Sequence, residues 1–160
     1  MVQPGHDTHE GHCSCGFVRY RMASAPMIVH ACHCSWCQRE SGGPFVVNAV
    51  IEAARVTLVQ GEIHMIVTPS ASGRNQKIAR CPQCQVALWS HYPTAGERIC
   101  FVRVGTLEAP ARLPPDVHVF TSTRQTWLPL PEGAFAVPEF YDPSQVWSAE
   151  ARARWAAARA

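Results

Sequence analysis

Seven of the eight cysteines in this 160-residue chain fall into three short clusters, and no other feature restricts its fold as much. Cys13-Ser14-Cys15 leads into Gly16. Cys32-His33-Cys34 runs on through Ser35 and Trp36 to Cys37. Cys81-Pro82-Gln83-Cys84 stands far downstream, and Cys100 is alone. Two residues of extended chain span roughly 6.6 Å, near the outer limit for joining two Cα atoms by a disulfide, so the C-x-C pairs would be strained if bridged internally. The N-terminal MVQPGHDTHEGHC has neither a basic n-region nor an apolar h-region, and no apolar run is long enough to cross a bilayer. The expected setting is the cytoplasm, where clustered thiols read as metal ligands or catalytic groups before they read as disulfides.

Spacing suggests how the sulfurs divide. Residues i and i+2 of a strand share a face, so Cys13 and Cys15 can aim at one ion, and a C-x-x-C turn brings Cys81 and Cys84 to the same point. Four thiolates make a closed tetrahedral zinc site of the structural kind, joining segments 81 − 15 = 66 positions apart. Cys32, Cys34 and Cys37 are then left as three ligands for a second zinc. Three protein ligands with a free fourth position characterise a catalytic zinc. A rival partition takes Cys34, Cys37, Cys81 and Cys84 as two ordinary C-x-x-C knuckles, leaving Cys13, Cys15 and Cys32 without a role. Spacing alone leaves both open.

The rest of the chain predicts an all-β protein with a C-terminal α-helix. From Gly11 onward short runs rich in β-branched and aromatic residues alternate with Gly, Pro, Ser and Asn: CGFVRYRM, MIVHACH, PFVVNAVI, RVTLVQG, EIHMIVTP, QKIARC, VALWSHYP, RICFVRVGTLE and DVHVFTSTRQTW. VQGEI predicts a hairpin turn, SASGRN a longer polar loop, and SWCQRESGG one turn of helix stopped by its glycines. The proline-rich LPLPEGAFAVPEFYDPS predicts an extended surface segment. Ser148 as cap, Glu150 in the first turn, and Trp147, Ala151 and Trp155 spaced by four predict a final helix docked on the sheet. The expected organisation is a flexible lead-in over 1–10, a zinc-binding domain over 11–130, and a proline-rich segment with the helix over 131–160.

With 47% hydrophobic and 16% charged residues the chain is globular, and a formal charge of +2 with scattered arginines argues against nucleic acid or a membrane surface as a partner. Homo-oligomerisation is left open. His33 points away from Cys32 and Cys34 and reads as a hydrogen-bonded structural histidine. His6, His9 and His12 read as solvated, His30, His64, His91 and His118 as structural, and Cys100 as a small core residue. Trp36 and Phe45 flank the triplet and can wall a pocket.

The strings GHCSCGFVRY, CHCSWCQRESGGPF, RCPQCQVALW and FVRVGTLE resemble the glutathione-dependent formaldehyde-activating enzymes, a family that also includes centromere protein V. The resemblance runs from about Gly11 to Trp127. It implies a β-tent fold, structural zinc on Cys13, Cys15, Cys81 and Cys84, and catalytic zinc on Cys32, Cys34 and Cys37. It further implies a carbon–sulfur lyase reaction in which glutathione captures formaldehyde as S-(hydroxymethyl)glutathione. Glutathione's carboxylates call for cations: Arg39, two residues after Cys37, is the nearest, and Arg74, Lys77 and Arg80 precede the second knuckle. A non-catalytic zinc-stabilised thiol-binding or protein-interaction module is the alternative from another class, and a redox dithiol of Cys34 and Cys37 is a third. In one place the sequence departs from the family: Gln85 stands where glycine usually follows the C-x-x-C. A knuckle often needs positive φ there, which glycine takes freely.

Overall fold

The alternation along Val46–Glu52 is apolar on both faces, as a central strand requires, and this strand organises the structure. The computed structural model describes residues 7–160. Its strands are β1 (His9–His12), β2 (Arg19–Met22), β3 (Ile28–Cys32), β4 (Val46–Glu52), β5 (Val56–Gln60), β6 (His64–Pro69), β7 (Asn75–Arg80), β8 (Ala87–His91), β9 (Ile99–Arg103) and β10 (Val117–Val119). Its helices are α1 (Ser35–Ser41), α2 (Pro143–Val146) and α3 (Ala149–Arg159). Seven strands form one sheet in the order β10-β3-β4-β9-β8-β7-β6, and β1-β2-β5 form a second. All pairings are antiparallel except that of β10 with β3. The expected all-β class with a C-terminal helix is what the chain adopts.

β4 divides the core into two apolar layers. Ala49 and Ile51, with Val29, Cys100 and Val102, face the three-stranded sheet and pack with Val18, Tyr20 and Met22. Val46 and Val50, with Ile28, Cys32, Ile99, Val117 and Val119, face the other way. That second layer is closed by Tyr141, Trp147 and Ala151 of the C-terminal segment. Ser148 Oγ accepts the Ala151 N–H at 3.0 Å to cap α3, and Arg154 forks onto Glu52 of β4 at 2.8 and 2.6 Å. A bidentate guanidinium–carboxylate pair of this kind adds geometric specificity to the docking. Tyr141 Oη accepts the Trp147 indole N–H at 2.7 Å and bonds His30 Nε2 at 2.5 Å. The segment before α2 carries no strand and crosses the surface, touching β10 through a bridge at Ala136.

The strand predictions fail at their ends. Residues 15–17 lie in a turn, so the first run is a strand only from Arg19. The run after Ile99 leaves the sheet at Arg103 for a 3₁₀ turn, and the one after Asp116 stops at Val119 because Phe120 takes φ +55. α1 spans seven residues, two turns and not one, because Gly42 delays the stop by acting as a left-handed C-cap. Of the lead-in, residues 1–6, His6 among them, lie outside the described residues. β1 begins at His9, which is buried, not solvated, because it pairs opposite Met22.

VQGEI is not a hairpin. β5 pairs with β2 and β6 with β7, so the chain changes sheets at this point. A turn signal marks a reversal but not which strands pair, and neither β5 nor β6 buries a full face to fix its partner. Gly61 is the pivot: φ is +79 and a Cβ there would sit 2.3 Å from the Phe17 carbonyl oxygen. Gly61→Ala is expected to lower the unfolding free energy by about 2 kcal/mol or more in urea titration; a loss below about 0.5 kcal/mol would contradict this pivot role.

Candidate functional site

Two six-residue loops of the same design bring four sulfurs together. The β1–β2 turn closes with Cys13 N–H donating to Val18 C=O at 3.1 Å, and the β7–β8 turn closes with Cys81 N–H donating to Val86 C=O at 3.1 Å. The Sγ atoms of Cys13, Cys15, Cys81 and Cys84 lie within 4.8 Å of one another. Cys13 and Cys15 are 3.5 Å apart and Cys15 and Cys81 3.7 Å. A zinc tetrahedron with Zn–S of about 2.3 Å has edges of about 3.8 Å, so these sulfurs fit that ion. Cys13 and Cys81 are buried, while Cys15 and Cys84 face solvent or its margin. The Val86 backbone N–H is the largest influence on Cys84 and helps hold its thiol down at about 6.

The turn also answers the departure at Gln85. Gln85 takes φ +62 and donates its N–H to Cys81 C=O at 3.0 Å, while its carbonyl accepts from Arg80 Nη1 at 2.8 Å. Glutamine thus adopts the left-handed conformation that glycine would take without cost. Its side-chain amide donates to Pro82 C=O at 2.9 Å, which ties it to the same loop. Cys13 and Cys15 meet through a turn with Gly16 at φ +77, not along a strand face as the spacing suggested.

The second cluster gathers Cys32, Cys34 and Cys37, also within 4.8 Å of one another. Cys32 ends β3 and Cys34 follows in extended backbone, so their side chains share a face. Cys34 is the N-cap of α1, accepting the Cys37 N–H at 3.3 Å, and Cys37 is the third residue of that helix. The chain therefore returns Cys37 through a helical turn. The thiols of Cys32 and then Cys37 hold Cys34 well below the ordinary thiol range. Cys32 is pushed up, first by Cys34 and Cys37 and then by burial. Cys37 is stabilised by Cys32 but opposed by Cys34 and burial, and is pushed up to about 12. Three sulfurs this close, two of them buried, ionise together only against a cation.

The neighbours are not all those the sequence suggested. Arg39 is exposed on α1, about 200° around the helix from Cys37. Arg74 is exposed, Lys77 pairs with Glu97, and Arg80 pairs with Glu40. His33 is fully buried, its Nε2 2.9 Å from His118 Nδ1 and its Nδ1 without a partner. Burial, then the charges of His118 and Arg124, hold His33 down at about 4, so it is neutral near pH 7. Trp36 is exposed, and Phe45 packs on His33 with ring centres 5.1 Å apart. Cys100 is buried in the layer beneath the three-stranded sheet, apart from both clusters.

Two residues near the triplet went unnoticed in the sequence. Arg103, at the end of β9, is only 8% exposed and its charge reaches Cys37. Tyr92 packs edge-on against Phe101, with ring centres 4.7 Å apart. Burial, foremost, raises its pKa; Arg103 lowers it, and Cys37, Cys32 and Cys34 raise it further. The available signal for Arg103 was a charge inside the otherwise apolar run ICFVRV, a pattern that demands a buried polar partner.

The family profile described as glutathione-dependent formaldehyde-activating enzyme matches residues 8–123, which include both cysteine clusters. The chain belongs to that family. A Halomonas elongata protein, provisionally named as a glutathione-dependent formaldehyde-activating enzyme, is 27% identical over 126 residues, 76% of this chain and 80% of its own. A crystal structure of a Rhodobacter sphaeroides protein is 19% identical with a TM-score of 0.45, covering 62% of this chain and 87% of that one. Within this family member the turn at Gln85 is a measurable point of strain. Gln85→Gly is expected to keep or raise stability, whereas Gln85→Val, a β-branched residue at positive φ, costs about 1–2 kcal/mol in chemical denaturation; a neutral valine would show that the turn relaxes.

Proposed function

We propose that this chain is a zinc-dependent carbon–sulfur lyase of the formaldehyde-activating type, taking a small thiol such as glutathione at Cys32, Cys34 and Cys37. The thiol adds to a small aldehyde such as formaldehyde, or the adduct releases it in reverse. The observation that carries this reading is the odd sulfur count: three converging thiols, with no fourth protein sulfur, histidine or carboxylate in their group among the described residues. Zinc bound there supplies a fourth coordination position that keeps an incoming sulfur deprotonated near neutral pH, where a free thiol of pKa about 8.5 is only a few per cent ionised.

The protein's own residues shape that position. Cys34 is fixed by the Cys37 N–H at the start of α1, and Ser41 Oγ donates to the Cys37 C=O at 2.9 Å, steadying the short helix. Burial of Cys32 and Cys37 keeps water from two of the three sulfurs. In the addition, a carbon–sulfur bond forms as the carbonyl π-bond breaks. The proton lost from the thiol returns from solvent to the new hydroxyl oxygen. His33 is buried with its Nε2 held by His118, and the transfer is not routed through it. Cys13, Cys15, Cys81 and Cys84 would hold a structural zinc. Among the described residues no helix is long and apolar enough to cross a membrane, and all eight cysteines are free, which fits a reading of work in the reducing cytoplasm.

Elemental analysis is expected to find two zinc ions per chain, falling to one in Cys32→Ser while the fold persists. Calorimetry should show glutathione binding that Cys32→Ser weakens. Glutathione-dependent loss of formaldehyde should outrun the uncatalysed reaction. Unchanged glutathione affinity in Cys32→Ser would refute the thiol site; binding without acceleration would favour a thiol-binding module.

A further inference from the structure

A pocket of about 470 Å³ opens between the end of α1 and the β7–β8 turn, within the size range of small-molecule sites. Its lining includes Glu40, Phe45, Val46, Arg80, Val86 and Arg103. Two of its lining residues sit on or beside the elements that carry the cysteine triplet. Glu40 lies three residues after Cys37 on the same helix, a rise of about 4.5 Å. Val46 is the cross-strand partner of Cys32.

The charges in this pocket do not balance. Glu40 is paired with Arg80, which leaves Arg103 without a carboxylate partner among the described residues. Arg103 Nη2 donates to Ser90 Oγ at 2.7 Å and Nη1 donates to Asn48 Oδ1; both acceptors are neutral, and Arg103 is in none of the ion pairs found among the described residues. Asn48, directly opposite Arg103 in the β4–β9 ladder, and Ser90 of β8 hold the guanidinium at the pocket wall. Two of its five N–H donors are used by these bonds. The Arg80 pKa is lowered first by burial and then by the charge of Arg103, so the two cations feel each other. A guanidinium 8% exposed is costly to keep unless an anion meets it.

We propose that this pocket is the carboxylate subsite of the thiol co-substrate, with Arg103 as its anchor. This rests on the reading of Cys32, Cys34 and Cys37 as the thiol site. An extended tripeptide spans at most about 10 Å, enough to place a sulfur at the triplet and a carboxylate one helical turn away. Arg103 presents the planar fork that a carboxylate takes in two parallel hydrogen bonds. The consequence is selectivity: a thiol bearing a carboxylate at peptide distance is retained, whereas an uncharged small thiol is not.

The test uses S-methylglutathione, which keeps both carboxylates but has no ionisable sulfur, titrated by calorimetry into the zinc-loaded protein. Saturable binding is expected, weakened about tenfold or more in Arg103→Gln and partly recovered in Arg103→Lys. Glu40→Gln, which frees Arg80, should tighten binding about twofold to fivefold. No binding to the unaltered protein, or equal binding to a folded Arg103→Gln, overturns the subsite. Should circular dichroism show Arg103→Gln unfolded, Glu40→Gln decides: tighter binding supports the subsite, and unchanged or weaker binding overturns it. Glutathione itself, titrated into Cys32→Ser, separates the two ideas. If its affinity there is unchanged while S-methylglutathione still depends on Arg103, the thiol assignment fails and the pocket assignment stands.

Discussion

The convergence of Cys13, Cys15, Cys81 and Cys84 is the constraint on which the rest depends, because the two loops that carry them belong to different sheets. Joining positions 66 apart in sequence closes a long loop, and a bound metal there returns binding energy as folding energy. The same join reaches the second cluster through side chains. Arg80, next to Cys81, bonds Gln85 C=O within the turn and pairs with Glu40 of α1, the helix that carries Cys37. The quartet's turn and the triplet's helix are thus held against each other by one guanidinium.

The seven-stranded sheet keeps the two clusters in separate apolar layers. Cys13 and Cys81 pack with Tyr20 and Trp89 under the three-stranded sheet, and Cys32 and Cys37 pack with Val46, Val50 and Trp147 on the other side. This separation is what allows one group of sulfurs to close on itself while the other stays three. A strand end, an extended N-cap and a helix of two turns bring three sulfurs together in six residues, and Gly42 then ends the helix as a left-handed C-cap. The difference between four and three converging sulfurs is therefore a difference in local backbone, set by the sequence around each cluster.

Much of this was legible beforehand, and the misses have physical causes. The i, i+2 rule places Cys32 and Cys34 together, and the spacing of Trp147, Ala151 and Trp155 finds the docked helix, where the two rings meet edge-on at 5.2 Å. It does not explain Cys13 and Cys15, which meet through a turn that Gly16 permits. Strand partners lie outside local pattern: nothing in VQGEI says that β5 joins β2. Gln85 at positive φ is held by three hydrogen bonds within its own loop, a tertiary override of its preference. Arg103 and its partners Asn48 and Ser90 come from three strands, so only the assembled sheet reveals them.

The central claim is that Cys32, Cys34 and Cys37 leave one coordination corner for an incoming sulfur. Zinc-edge X-ray absorption on the two-zinc protein measures this directly, as the mean number of sulfur neighbours per ion. Four and three ligands average to about 3.5, and saturating glutathione should raise the mean to about 4. A mean of 4 before any thiol is added, or one that glutathione leaves unchanged, would contradict the account.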